Sequence, residues 1–169
     1  MTFNKTARYL ALTLLLLLPC HQGLAQEQPQ IGELTYLDRQ YMSQQRALLT
    51  ELASRNFGRR FNGQRDNDLE LLQRLLDDRL VRPEQVQELQ AMGIIMGDLL
   101  AAELDLRWVV YQDKLGRSRA LADDVTGTYL FPVTMISRRR EADNQTPVNA
   151  IYTRARETVV KNRPALPFH

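Results

Sequence analysis

The sequence predicts an α+β fold in which N-terminal helices pack on a small antiparallel sheet of about three strands, followed by a C-terminal helix. Two observations predict this class. Between residues 36 and 105, apolar side chains recur about every 3.6 residues, as on the buried face of a helix. Between residues 107 and 138 the repeat shortens to two, and β-branched and aromatic side chains are frequent, as in strands. A run of helices followed by a run of strands is typical of the α+β class.

The first 25 residues have the three-part order of a secretory signal peptide. Lys5 and Arg8 give a basic start, residues 10–18 are almost entirely apolar, and Ala25 supplies a small residue for cleavage. The apolar run is much shorter than the roughly 20 residues that a membrane-spanning helix needs. We therefore predict export with cleavage after Ala25. The alternatives are a lipoprotein attached at Cys20 and an uncleaved membrane anchor.

Cleavage would change the chemistry that is open to the chain. Without Lys5 and Arg8, the mature chain has equal numbers of basic and acidic residues, so we expect no nucleic-acid partner. Cys20, the single cysteine, would be lost, which excludes disulfides and thiolate sites. The one remaining histidine, His169, ends the chain. We therefore predict no catalytic triad, no metal site and no cofactor.

One domain is predicted for residues 35–163, between a polar linker at 26–34 and a tail at 164–169. Thr35 is the expected N-cap of the first helix, and Gly58 is its expected C-cap. We predict helices at residues 36–57, 66–80, 83–105 and 147–160, and strands at residues 107–112, 118–121 and 128–138.

The third predicted helix carries the most informative residues. Residues 92–102 are apolar on every side except at Asp98, which predicts that this helix forms the buried centre of the domain. Gly93 and Gly97 each weaken a helix by about 1 kcal/mol, so they need a reason. The two glycines predict close packing of another element, and the alternative is a surface that admits a ligand.

Asp98 needs hydrogen-bond donors on an apolar helix face, and we expect Arg138, beside the third strand, to supply them. A structural ion pair is the first interpretation, and a catalytic acid is the alternative.

Trp108 and Tyr111 lie three residues apart in one strand, so they occupy opposite faces and one of them is open to other contacts. Asp98, Arg138, Trp108 and Tyr111 form the candidate polar site. The basic run at residues 138–140 is typical of a solvated surface, although an exported protein could bind anionic lipid or glycan with it.

Several segments resemble the bacterial domain family DUF3806. They are Gly93-Ile94-Ile95-Met96-Gly97-Asp98, Leu104 to Tyr111, Asp113-Lys114-Leu115-Gly116-Arg117 and Leu130 to Arg138, and the likeness extends from Leu37. The resemblance implies a fold and a bacterial origin, but no reaction. Together with the signal peptide, a Gram-negative origin implies a periplasmic location.

Three functions remain open at this stage. The first is a small non-catalytic binding or accessory module whose partner is an envelope protein or glycan. The second is a carboxylate-dependent hydrolase of envelope glycan, which needs two facing carboxyl groups about 5–9.5 Å apart. Asp98 and Glu103 fit poorly, because they point about 140° apart on a helix. The third is a structural or assembly subunit. After signal cleavage we expect no transmembrane segment.

Overall fold

The structure, a computed structural model, describes residues 28–164. The predicted signal peptide and the last five residues of the predicted tail lie outside this range. The described chain contains five α-helices and four strands, together with one 3-10 turn at Pro132–Thr134. In chain order they are β1 (Gln30–Glu33), α1 (Tyr36–Phe57), α2 (Arg65–Asp77), α3 (Val86–Leu104), β2 (Arg107–Asp113), β3 (Gly116–Asp123), β4 (Thr128–Leu130), α4 (Ser137–Glu141) and α5 (Val148–Asn162).

The fold is α+β, with helices before an antiparallel sheet and a helix at the C-terminal end. The strands lie in the order β1-β2-β3-β4. Residues 26–34 were predicted to form a linker, and this is wrong in part because they contain β1. All four residues of β1 are exposed, so the strand has no alternating pattern in the sequence. Only its pairing with β2, from Gln30 opposite Gln112 to Glu33 opposite Val109, reveals it.

The third predicted strand, residues 128–138, is far shorter in the structure. Strand β4 ends at Leu130, and the chain then forms the 3-10 turn and α4. Pro132 begins the 3-10 turn, and a proline cannot donate a hydrogen bond to a strand ladder. The predicted strand runs through this proline, whereas β4 stops two residues before it.

Two helix boundaries also differ from the prediction. Helix α2 ends at Asp77 rather than at residue 80, because Arg79 adopts a positive φ of 56°. Helix α3 begins at Val86 rather than at Pro83. The caps of α1 are as predicted: the Thr35 side chain accepts a hydrogen bond from the Asp38 N–H, and Gly58 has a φ of 63°.

Helix α3 is the centre of the core, as its all-round apolarity predicts. Leu89, Met92, Met96 and Leu100 are fully buried, and they pack with side chains of α1, α2, α5 and the sheet. One sheet face joins this core through Leu121 and Leu130. The opposite face forms a smaller cluster. No helix within residues 28–164 is long and apolar enough to cross a membrane.

Candidate functional site

The two glycines of α3 lie where other parts of the chain come closest to the helix. A Cβ atom on Gly93 would stand 2.4 Å from the carbonyl oxygen of Pro132. On Gly97 it would stand 2.5 Å from Cζ2 of Trp108. Protein atoms therefore fill the surface that these glycines leave, and no room for a ligand remains there.

Asp98 is bound by α1 and by β2. The Arg46 side chain donates from Nε to Oδ2 at 2.6 Å and from Nη2 to Oδ1 at 2.8 Å. The Trp108 Nε1–H donates to Oδ1 at 3.0 Å. The side chains of Arg46 and Asp98 are 38% and 35% exposed, so solvent screens the pair and its contribution is about 1 kcal/mol or less. These bonds join α3 to α1 and to β2.

The predicted pairing of Asp98 with Arg138 is wrong, because Arg46 and Trp108 supply the donors. Arg138 lies on α4, which follows the 3-10 turn packed on Gly93. It lines the same cleft as Gln90, two helical turns before Asp98. The polar site predicted from sequence is therefore divided: Asp98 lies with Trp108, and Arg138 lies with Tyr111.

A second carboxylate, that of Asp68, lines a small cavity of about 210 Å³ with Asp98. Its oxygens accept hydrogen bonds from the backbone N–H groups of Asn62 at 3.0 Å and Gly63 at 2.9 Å, and from the Asn67 side chain at 2.7 Å. N–H donors of the protein thus occupy both carboxylates.

Glu103 is engaged on another side of α3. Its carboxylate accepts hydrogen bonds from the Tyr152 hydroxyl and from Arg156 Nε, each at 2.5 Å, and these donors hold its pKa below the usual range. Burial and the bond to Glu103 raise the pKa of Tyr152. Asp98 and Glu103 therefore have separate partners. Within residues 28–164, no cluster of His, Cys, Asp or Glu side chains suits a metal ion.

A larger cleft of about 490 Å³ lies at the edge of β3. Strand β3 pairs with β2 at residues 116–122, but it pairs with β4 only at residues 121–123. Since the chain leaves the sheet after Leu130 and crosses to α3, a gap opens beside residues 116–119. We call this gap the β3-edge cleft. Val133, Thr134 and Arg138 line its far side, and Gln90 of α3 lines it as well.

Two arginines of β3 that line the cleft converge on Asp38. Arg117 binds Asp38 through Nη1 at 3.0 Å and Nη2 at 2.5 Å, and Arg119 Nη2 lies 2.9 Å from Oδ1. The Asp38 side chain is only 2% exposed. The hydrogen bonds from Arg117, reinforced by those from Thr35, hold the pKa of Asp38 far below its usual range. Asp38 therefore fixes both guanidinium groups.

The cleft retains positive charge after these pairings. Asp38 offers one negative charge to two arginines, and a guanidinium has five N–H donors, so donors of Arg117 remain available. Arg138 is exposed and forms no ion pair within the described chain. The carboxylate of Asp113 also lines the cleft, and its Oδ1 accepts the Leu115 N–H at 2.8 Å. Three cations thus face two anions.

Two aromatic side chains, Tyr111 and Phe131, also line the cleft. The rings of Tyr111 and Phe131 pack edge to face with centroids 5.1 Å apart, and Tyr129 packs on Tyr111 at the same distance. Deeper in the fold, the Arg119 guanidinium stacks 4.3 Å above the Tyr41 ring. The cleft therefore presents guanidinium groups together with aromatic surface.

The structure brings together two of the predicted site residues, Tyr111 and Arg138, in the β3-edge cleft. Sequence reasoning missed Arg46, Asp38 and the pair Arg117 and Arg119. The pair carried a signal, because alternate residues of a strand share one face. Nothing in the local sequence indicates that the capping residue Asp38 lies against β3, 79 residues away.

Two comparisons relate the chain to known proteins. The sequence model described as "Domain of unknown function (DUF3806)" matches residues 68–152. A crystal structure at 1.50 Å resolution of a protein from Bacteroides thetaiotaomicron VPI-5482 superimposes with a TM-score of 0.68 and 16% identity. The match covers 78% of this chain and 47% of that one, so this chain spans about half of its length, and the likeness shows the fold alone. No curated protein matches the chain.

Proposed function

We propose that this chain, which belongs to the DUF3806 family, is an exported periplasmic binding module that holds an anionic ligand in the β3-edge cleft without chemical change. One observation carries the proposal. Arg117, Arg119 and Arg138 surround a cleft of about 490 Å³, and Asp38 holds the first two in place. This volume lies within the range of ordinary ligand sites.

The arrangement supports binding of carboxylate or phosphate groups. Guanidinium groups recognise such anions through paired hydrogen bonds. Arg119 is held by Asp38 and by the Tyr41 ring, so little conformational entropy is lost when a ligand binds. The aromatic rings add apolar contact. An envelope polymer that bears carboxylates, whether protein or glycan, matches this surface.

Binding without catalysis is favoured over hydrolysis by the state of the acids. Asp38 is ionised and is held by arginines, so it cannot donate a proton. The carboxylates of Asp68 and Asp98 are also occupied by N–H donors. Arginines that surround a cleft can position an anion, but they neither accept nor donate protons near neutral pH.

Ligand titration with the exported protein tests this function. A penta-galacturonate and a penta-glutamate peptide supply anionic probes, and maltopentaose and a penta-glutamine peptide supply neutral controls. We expect at least one anionic probe to shift the amide resonances of Arg117, Ser118 and Thr134, and the neutral probes to shift none. Arg138→Gln should weaken binding at least fivefold, or about 1 kcal/mol.

Arg154→Gln is the matched control variant. Arg154 is exposed on α5, and its side chain makes no ion pair within the described residues. Its substitution removes the same charge as Arg138→Gln, but at a site outside the cleft. Equal weakening by both variants would mean that the whole surface attracts anions. That result, or the absence of binding by both anionic probes at millimolar concentration, would refute the proposed site.

Export is proposed from residues 1–25 and is tested separately. Mass spectrometry of the protein from a periplasmic extract should find a mature chain that starts at Gln26. An acylated chain that starts at Cys20 would support the lipoprotein alternative, and an intact N-terminus in the membrane fraction would support the anchor.

A further inference from the structure

The β3-edge cleft exposes backbone as well as side chains. Gly116, Arg117, Ser118 and Arg119 all line the cleft, and none of them pairs with β4. No backbone hydrogen bond joins them to the 3-10 turn across the cleft within residues 28–164. One side of a paired strand therefore presents free N–H and C=O groups over about 14 Å, at 3.4 Å per residue.

An incoming strand would continue the line of β4. Strand β4 occupies this side of β3 at residues 121–123 and then turns away. A peptide placed beside residues 116–119 would extend the sheet at the usual distance between hydrogen-bonded strands. Addition of a peptide strand to a free sheet edge is a known mode of recognition, in which backbone bonds give affinity and side-chain pockets give specificity.

The side chains of the protein differ between the two faces of the sheet at this position. The β2–β3 register places Arg117 and Arg119 on the face that also carries Leu121 and Trp108, toward the helices. Tyr111 and Ser118 lie on the opposite face, where Phe131 packs on the Tyr111 ring. Since side chains of a strand alternate between faces, an occupant with acidic residues on one face and apolar residues on the other would meet arginines and aromatic rings respectively.

We propose that the anionic ligand of the cleft is an extended polypeptide segment with alternating acidic and apolar residues, which adds to the free edge of β3 as a fifth strand. This proposal rests on the proposed function, because it names the ligand class of the same cleft. Charge complementarity selects the acidic residues, and the unpaired backbone selects a peptide. A glycan has no regular array of N–H and C=O groups to match the strand edge.

Backbone methylation of a peptide probe tests the strand pairing. The probe is the acetylated and amidated hexapeptide Glu-Val-Glu-Val-Glu-Val. Two derivatives are compared, and each carries N-methyl groups on one of the two sets of alternate amides. Each derivative keeps the charge of the probe but loses the N–H donors along one edge of the extended peptide. We expect the unmodified probe to bind, one derivative to lose affinity at least tenfold, and the other to change by less than threefold. A scrambled hexapeptide of the same composition, with the acids in one block, should bind at least fivefold more weakly.

Hydrogen exchange supplies a second readout. The bound probe should slow exchange at the amides within residues 116–119 that point into the cleft, and it should leave β1, the other sheet edge, unchanged. Arg138→Gln should weaken the probe at least fivefold, and Arg154→Gln should not.

The results separate the two proposals. If both methylated probes bind as well as the parent, or if penta-galacturonate binds and no peptide does, strand addition is wrong and anion binding stands. If no anionic probe of either kind binds, both proposals are wrong. Tenfold loss with only one methylated probe, together with slowed exchange in β3, supports strand addition.

Discussion

Substitution of Gly93 by alanine tests the tightest packing at any glycine of the described chain. The added Cβ would meet Pro132 O at 2.4 Å, Val133 O at 2.7 Å and Val133 C at 2.9 Å. Ordinary van der Waals contact begins near 3.4 Å, so the 3-10 turn would have to move by about 1 Å. All three atoms belong to the backbone, and no side-chain rotation can relieve the overlap.

The expected magnitude follows from two opposing effects. Alanine in place of glycine favours a helix by about 1 kcal/mol. Overpacking in a core costs about 1–3 kcal/mol and occasionally more, and a rigid backbone neighbour belongs at the upper end. We therefore expect Gly93→Ala to lower the free energy of unfolding by about 1–2 kcal/mol. Because Val133 lines the β3-edge cleft, the variant should also weaken anion binding.

Urea unfolding followed by circular dichroism measures the effect. Gly97→Ala should also destabilise the protein, since its Cβ would lie 2.5 Å from the Trp108 ring, and that ring cannot turn away without losing its bond to Asp98. Gly32→Ala in β1 is the control, because nothing lies within 4 Å of its added Cβ. If Gly93→Ala were as stable as the wild type or more stable, the packing of the 3-10 turn on α3 would be wrong.

Two further substitutions give independent tests. Asp38→Asn should destabilise the protein by about 3 kcal/mol at pH 7, because it leaves two arginines without their shared carboxylate. The pKa of Asp38 is lowered in the folded state, so its contribution is present above the pKa of the unfolded carboxyl, about 3.9, and is lost as the pH falls through the folded pKa. Thermal unfolding from pH 7 to pH 2 should therefore show the difference between variant and wild type shrinking below about pH 4, and a constant difference would contradict the role of the charge. Leu100→Ala should cost about 2–5 kcal/mol in urea unfolding because Leu100 is fully buried, whereas Leu37→Ala, at a position 72% exposed, should change stability by less than about 0.5 kcal/mol. Similar small losses at both leucines would mean that α3 is not the centre of the core.

Local patterns were sufficient to predict most of the secondary structure. The caps at Thr35 and Gly58 and the apolar period of α1 and α3 depend on residues within a few positions of one another. The α+β class follows from the change of period after residue 105. The prediction failed where the pattern is not local: β1 is exposed along its whole length and exists only because it pairs with β2.

The composition of the chain sets which residue types are available for a site, whereas the path of the folded chain sets which of them meet. Asp98 needs hydrogen-bond donors on its apolar helix face. Because α1 packs against α3, Arg46 rather than Arg138 supplies them. Tyr111 and Arg138 share a cleft because the chain leaves the sheet after Leu130. Such pairings join residues tens of positions apart, and no short-range periodicity encodes the path that brings them together. The departure of the chain toward Gly93 also leaves the edge of β3 open, so the cleft is a property of the packed fold.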